Sequence, residues 1–150
     1  MHSRRLLNWL VAIFLVLSFI GFADASFLTI SHYTTKSVPC VISSFDCNKV
    51  TSGPYSTILG IPVALFGVGY YLILFVMTLA YLDRRYQKIL LWASRFTIVG
   101  LIMSLWFIFL MAFIIKAFCL FCLVSAFTSI ALFILGLCLV RTLRLEQVSS

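Results

Sequence analysis

The residues best suited to chemistry in this sequence are four cysteines arranged in two pairs. Cys119 and Cys122 form a C-x-x-C motif at the point where an apolar run of membrane-spanning length begins. Cys40 and Cys47 lie in the longest polar segment of the chain. Positions i and i+3 project from the same face of a helix, so Cys119 and Cys122 can form a disulfide across one turn. The pattern predicts thiol–disulfide redox chemistry.

The position of the C-x-x-C motif gives a reason for it to be reactive. The first turn of a helix presents unpaired N–H groups and the positive end of the helix dipole, and both stabilise a thiolate. A thiolate of low pKa attacks and leaves readily in exchange reactions. A motif at the membrane edge can also meet an electron acceptor dissolved in the lipid.

The composition is that of an integral membrane protein. The chain has 150 residues, of which 63% are hydrophobic and 10% charged, and its mean hydropathy is +1.17. These values lie far from the averages of soluble domains. The formal net charge of +7 does not indicate a nucleic-acid partner, because the basic residues separate apolar runs instead of clustering on one face. We expect residues 1–150 to form a single domain.

Four apolar runs predict an all-α membrane protein, a four-transmembrane-helix bundle. The predicted spans cover residues from about 6 to 26, 58 to 82, 89 to 115 and 117 to 140, each close to the roughly 20 residues that cross a bilayer. One long loop, from about 27 to 57, connects helices 1 and 2 outside the membrane, because lipid cannot satisfy irregular backbone. Ala23-Asp24-Ala25 resembles a signal-peptide cleavage site, which leaves a cleaved leader as the alternative for the first span.

A stripe of small residues and a tyrosine in the second span favours close helix packing. It consists of Gly60, Ala64, Gly67 and Tyr71.

The basic residues predict the orientation of the bundle. Four spans place both termini on one side, and that side has eight of the eleven Lys and Arg residues: Arg4, Arg5, Arg84, Arg85, Lys88, Arg95, Arg141 and Arg144. The opposite side has three, Lys36, Lys49 and Lys116. The positive-inside rule therefore predicts cytoplasmic termini. Both cysteine pairs then face the outer side, which in a bacterium is the disulfide-permissive periplasm.

Other uses of the cysteines remain open from the residues alone. Four cysteines can bind zinc or form permanent structural disulfides, although a metal site is not our prediction. Cys138, near the cytoplasmic end of the fourth span, is typical of a small apolar packing residue. An alternative function of a different class is a small transporter that passes a soft metal ion between cysteines.

The combination of motifs resembles the vitamin K epoxide reductase family in its small bacterial form. The resemblance rests on Cys40, on the stretch 47–52 (CNKVTS), on the stretch 55–67 (YSTILGIPVALFG) and on the C-x-x-C at 119–122. It covers nearly the whole chain. A lone C-x-x-C is a weak signal, but a loop pair followed by G-I-P and a later C-x-x-C is specific.

The resemblance implies an electron relay. A periplasmic thioredoxin-fold, DsbA-like protein would reduce Cys40, Cys47 would exchange with Cys119, and Cys122 would pass electrons to ubiquinone or menaquinone. The implied location is the bacterial inner membrane. A DsbB-type oxidase has similar topology and chemistry, but its C-x-x-C lies in the first outer loop, whereas here the motif opens the fourth span.

The resemblance also implies three positions near the quinone and the loop. The family usually has a serine six residues after the second loop cysteine, where this chain has Gly53 preceded by Ser52. The animal enzymes have Asn and Tyr at two pocket positions that align with Ser56 and Ala126. We therefore assign Ser52, Ser56 and Ala126 as cofactor-binding positions, and we do not expect vitamin K epoxide as the substrate.

Overall fold

The computed structural model describes residues 2–34 and 46–148. Its elements in chain order are α1 (His2–Tyr33), α2 (Cys47–Thr51), β1 (Thr57–Ile58), β2 (Ile61–Pro62), α3 (Val63–Arg84), α4 (Gln87–Phe109), a π-helical segment (Leu110–Ile115) and α5 (Leu120–Val148). Within the described part, four helices are long and apolar enough to cross a membrane. The predicted class, an all-α bundle of four membrane-spanning helices, is confirmed.

The first helix extends beyond the span predicted from hydropathy. α1 continues past residue 26 to Tyr33, through part of the segment predicted as loop. No Pro or Gly interrupts this stretch, and the Ser26 and Thr29 hydroxyls donate to the carbonyl oxygens four residues earlier, at 2.7 and 2.8 Å. Hydropathy marks where a chain leaves lipid, whereas a helix ends where its backbone hydrogen bonds end.

A small hairpin replaces the predicted start of the second span. Thr57 pairs with Pro62 and Ile58 with Ile61 in an antiparallel register. Leu59 and Gly60 connect the strands with φ angles of 54° and 81°, the positive values that a tight two-residue hairpin turn needs. Gly60 therefore belongs to the turn and not to the small-residue stripe on the helix. The transmembrane helix begins after Pro62, at Val63.

α1 packs against α3 and α5, and α4 packs against α5 and α3. Gly21 is required at the crossing of α1 and α3, because a β-carbon there would overlap the ring of Tyr71. A β-carbon on Gly67 would lie 3.3 Å from that of Ala25. The stripe predicted on the second span thus does face another helix, and it brings the Tyr71 side chain into the interior, where 1% of its surface is exposed.

Candidate redox site

Cys47 and Cys119 lie in the same buried cluster at one end of the bundle. Only 1% of Cys47 and 0% of Cys119 is exposed, and the cluster also contains Val50, Met111 and Ala117. Cys122 is half-buried and packs against the same cluster. The fold thus brings a loop cysteine and the C-x-x-C motif together, although they are far apart in sequence.

The cysteines differ in oxidation state. Cys47 is disulfide-bonded, whereas Cys119, Cys122 and Cys138 have free thiols. The other predicted catalytic cysteine, Cys40, lies outside the described residues.

The short helix α2 holds Cys47 against the bundle. Asp46 caps this helix, because its carboxylate accepts a hydrogen bond from the Lys49 N–H at 3.2 Å. At the other end, the His32 ring nitrogen Nδ1 donates to the Thr51 carbonyl oxygen at 3.3 Å. His32 lies in the last turn of α1. The extension of α1 beyond its predicted end therefore supplies a contact that fixes the loop helix.

Cys119 occupies the N-cap position of α5, one residue before the helix begins. Its carbonyl oxygen accepts a hydrogen bond from the Leu123 N–H at 3.0 Å, which is the first bond of the helical ladder. Its sulfur is within hydrogen-bonding reach of the Cys122 thiol and of the backbone N–H groups of Phe121 and Cys122. The sequence predicted both cysteines within the helix; the structure places Cys119 at its cap and Cys122 in its first turn.

The cap position lowers the pKa of the Cys119 thiol. The sequence predicted a low pKa for a thiol at this helix start. A hydrogen bond from the Cys122 side chain, joined by the two backbone N–H groups, lowers the pKa of Cys119 to about 7. Burial and the charge of Asp24 oppose this shift without cancelling it. A thiol at the N-terminus of a helix is stabilised as a thiolate by the same groups that usually bind a Ser or Asp cap.

The three positions assigned to cofactor binding from the resemblance lie in different environments. Ser52 is exposed at the C-cap of α2, where its N–H donates to the Asn48 carbonyl oxygen. The Ser56 hydroxyl donates to the Gly53 carbonyl oxygen at 2.7 Å and so closes the turn before the hairpin. Ala126 is buried in α5, one turn after Cys122. Of the three, Ala126 lies on the helix that has the C-x-x-C.

Sequence reasoning missed a set of polar side chains inside the bundle. The Tyr71 hydroxyl donates to the Ser125 carbonyl oxygen at 2.7 Å, and it lies 3.1 Å from the Ser125 hydroxyl and 2.9 Å from that of Ser129. One carboxylate oxygen of Asp24 is buried and has no hydrogen-bond partner. We call Asp24, Tyr71, Ser125 and Ser129 the inner polar group. An acidic residue in the predicted first span was the available signal, but the sequence indicated Asp24 only as part of a possible signal-peptide cleavage site.

The opposite end of the bundle has a different character. An open cleft of about 270 Å³ lies between α4 and α5, lined by apolar residues and by Ser94, Arg95, Arg144 and Gln147. No cysteine borders it. Cys138 is exposed. Residues 2–34 and 46–148 contain no group of three or more His, Cys, Asp or Glu side chains that could bind a metal ion, so no observation in that part favours the metal transporter.

The fold and the site define a membrane-spanning helical bundle that holds a disulfide-bonded cysteine next to a reactive thiol pair, the arrangement of a membrane thiol–disulfide oxidoreductase. A scan against protein families matches residues 12–137 to the vitamin K epoxide reductase family. The chain belongs to this family, which supports oxidoreductase activity and, in general, the use of a quinone. A search of curated proteins finds no match.

Proposed function

We propose that this protein is a quinone-dependent thiol oxidoreductase that reoxidises a periplasmic thioredoxin-fold, DsbA-like partner and so supports disulfide-bond formation. Electrons pass from the partner to Cys40 and Cys47, then to Cys119 and Cys122, and finally to ubiquinone or menaquinone. The observation that carries this proposal is the burial of Cys47 and Cys119 in one cluster. Exchange between the two pairs requires a thiolate to reach a disulfide sulfur directly.

The oxidation states fit one stage of this relay. In the proposed relay, a disulfide at Cys47 and two thiols in the C-x-x-C are the state in which electrons have reached the second pair. To restart the cycle, the two C-x-x-C sulfurs must form a disulfide and release two electrons. The partner then reduces the disulfide at Cys47, whose thiolate attacks the sulfur of Cys119.

The interior beside Cys122 has groups that fit a quinone. When bound, a quinone supplies an acceptor of two electrons and two protons. Ser125 and Ser129 lie one and two turns further along α5 than Cys122, and the Tyr71 hydroxyl of α3 contacts both. Hydroxyls can donate hydrogen bonds to carbonyl oxygens. Phe121 and Phe27 form an aromatic pair with ring centroids 5.1 Å apart at the same end.

The proposed location is the inner membrane of a bacterium, with both termini in the cytoplasm and the cysteine cluster at the periplasmic surface. The support is the excess of Lys and Arg at the end of the bundle that holds the termini. We further propose that residues 1–150 act as a single domain, because α1, α3, α4 and α5 pack on one another.

The direct experiment measures quinone reduction by the purified protein in lipid nanodiscs. The additions are a reduced thioredoxin-fold dithiol protein and a short-chain ubiquinone. We expect quinone absorbance to fall as the dithiol protein is oxidised. The Cys47→Ala chain should not turn over, because Cys40 then has no disulfide partner through which the dithiol protein can pass electrons to Cys119. If the intact protein transfers no electrons to either ubiquinone or a menaquinone analogue, the proposal fails.

The orientation is tested with two exposed lysines at opposite ends of the bundle. Lys49 follows Cys47 in α2 and Lys88 lies in the first turn of α4, and both side chains are exposed. In cells with a permeabilised outer membrane, a membrane-impermeant maleimide should label the Lys49→Cys chain above the background of the parent chain. It should label the Lys88→Cys chain only after the inner membrane is opened. The reverse pattern would place the cysteine cluster in the cytoplasm.

A further inference from the structure

Asp24, an acidic side chain within the membrane-spanning part of α1, lies one turn before Phe27, whose ring packs on that of Phe121 between Cys119 and Cys122. Asp24 lies on α1 between Gly21 and Ala25, the two residues that pack against α3. One of its carboxylate oxygens is buried and has no hydrogen-bond partner. An ionisable residue inside a membrane helix is costly and is usually retained for function, and an unsatisfied buried polar atom requires an explanation.

The groups around Asp24 provide an explanation for its unpartnered carboxylate oxygen. The titratable groups that interact electrostatically with its carboxylate are the Tyr71 hydroxyl on α3 and the thiols of Cys119 and Cys122 at the start of α5. Among the side chains that the structure describes, no other carboxylate interacts with the thiols of Cys119 and Cys122. Asp46 caps α2 through the Lys49 N–H, and Asp83 is exposed near the end of α3.

Disulfide formation at this site requires a proton acceptor. Cys119 is stabilised as the thiolate and Cys122 donates the hydrogen bond. When the two sulfurs join, the pair loses two electrons, and the S–H bond of Cys122 breaks. The proton of Cys122 must leave a half-buried position where bulk water has limited access. The carboxylate of Asp24 interacts electrostatically with this thiol, and a carboxylate can act as the base.

We propose that Asp24 accepts the proton of Cys122 as the Cys119–Cys122 disulfide forms and delivers it to the reduced acceptor. The S–H bond of Cys122 breaks, an O–H bond forms on Asp24, and the S–S bond forms between the cysteines. Two electrons pass to the quinone, and its reduction to the hydroquinol consumes two protons. One is the proton held by Asp24, and the other balances the proton that Cys119 released to solvent earlier. This inference rests on the proposed function for the identity of the acceptor.

Asp24→Asn removes the base while keeping the shape of the side chain. We expect the oxidation of the reduced C-x-x-C pair by a short-chain ubiquinone, measured in a single turnover, to slow by roughly 100-fold, a typical contribution of a positioned base. Asp24→Glu should retain most of the rate. Asp83→Asn, which removes an exposed carboxylate at the other end, is the matched control and should behave like the unmodified chain.

Chemical rescue separates a proton acceptor from a structural residue. In the Asp24→Ala chain, added formate should restore part of the single-turnover rate, and formamide, which has a similar size but no basic carboxylate, should not. Thermal unfolding of each variant verifies that the fold is intact. A folded Asp24→Ala chain that oxidises at the unmodified rate, or that is slow and responds to neither or to both additives, overturns the inference.

A second measurement does not depend on any acceptor. The carboxylate of Asp24 raises the pKa of Cys119 against the stronger opposing effects. Asp24→Asn should therefore shift the pH midpoint of Cys119 alkylation below about 7. An unchanged midpoint would show that Asp24 does not face the pair, and the inference would fail even if quinone-dependent activity is present. If the midpoint shifts but the unmodified chain reduces no quinone, the proposed function is the part that fails.

Discussion

The two ends of α5 present the same residue type in opposite environments. Cys122, in the first turn, lies beside the thiol of Cys119, the N-cap residue, and packs against the buried cluster that contains Cys47. Cys138, four turns later, is exposed on the surface of the same membrane-spanning helix. Neither the residue nor its helix differs, so the neighbouring groups are the reason for which we propose redox chemistry at Cys122 and not at Cys138. Within the described residues, the N-terminal N–H groups, a second thiol and a nearby disulfide are found beside Cys122 and not beside Cys138.

The variant with the largest expected effect tests the difference between Cys122 and Cys138 directly. Cys122→Ala should reduce quinone-dependent dithiol oxidation by at least roughly 1000-fold, because no second sulfur is left to form the disulfide. Cys138→Ala should leave turnover within about twofold, since surface changes of this kind are usually small. Steady-state quinone reduction in nanodiscs measures both. Loss of activity in the Cys138→Ala chain, or none in either, would show that the two ends are not functionally distinct.

Gly21 tests how the inner polar group is positioned. Gly21→Ala places a methyl group against the ring of Tyr71, and overpacking of this kind costs about 1–3 kcal/mol, more than the roughly 0.5–1 kcal/mol gained in helix propensity. The variant should unfold at lower denaturant concentration and turn over more slowly.

Gly69 is the matched control for this prediction. It lies in α3, and a β-carbon there would meet no atom within 4 Å. Gly69→Ala should therefore be neutral or slightly stabilising in the same unfolding assay. If both variants are equally stable, the close approach of α1 to Tyr71 is not required.

The acidity of Cys119 provides a prediction with a defined pH dependence. Its pKa is lowered to about 7, so the thiolate is the main form above pH 7 and is lost as the pH falls through that value. Cys122→Ala removes the strongest stabilising hydrogen bond. The alkylation midpoint should then rise towards the ordinary thiol value of about 8.5, which reduces the thiolate present at pH 7 by roughly 15-fold.

The pH profile of iodoacetamide labelling, quantified by mass spectrometry in a Cys138→Ala background, measures this change. Because the Asp24→Asn variant should move the same midpoint in the opposite direction, the two variants check each other. A midpoint that stays in place when Cys122 is replaced would show that the helix cap alone sets the acidity of Cys119.

The smallest effect concerns the helix that holds Cys47. Asp46→Ala removes the cap of α2 and should cost about 1 kcal/mol of local stability. Because local opening exposes the buried Cys47, its disulfide should be reduced by dithiothreitol about fivefold faster, as followed by thiol labelling. Asp83→Ala should not alter that rate. Equal reduction rates in the two variants would indicate that α2 does not control access to Cys47.

The sequence by itself determined the number of membrane spans and predicted the redox pair. Each follows from local composition or spacing: apolar runs of about 20 residues must cross lipid as helices, and a C-x-x-C at a helix start has only one turn between its sulfurs. The family match over residues 12–137 confirms the resemblance seen in the motifs. Hydropathy could not locate the hairpin at residues 57–62 or the end of α1, because these depend on hydrogen bonds and not on apolarity.

Only the tertiary structure decided which distant residues meet. The burial of Cys47 and Cys119 in one cluster and the electrostatic interaction of Asp24 with the thiol pair depend on how α1, α2 and α5 are arranged. Gly21 permits the close crossing that buries Tyr71, yet a single glycine in an apolar run does not specify its partner. Helix faces are chosen by complementary shape across the bundle, and that information is distributed over several helices.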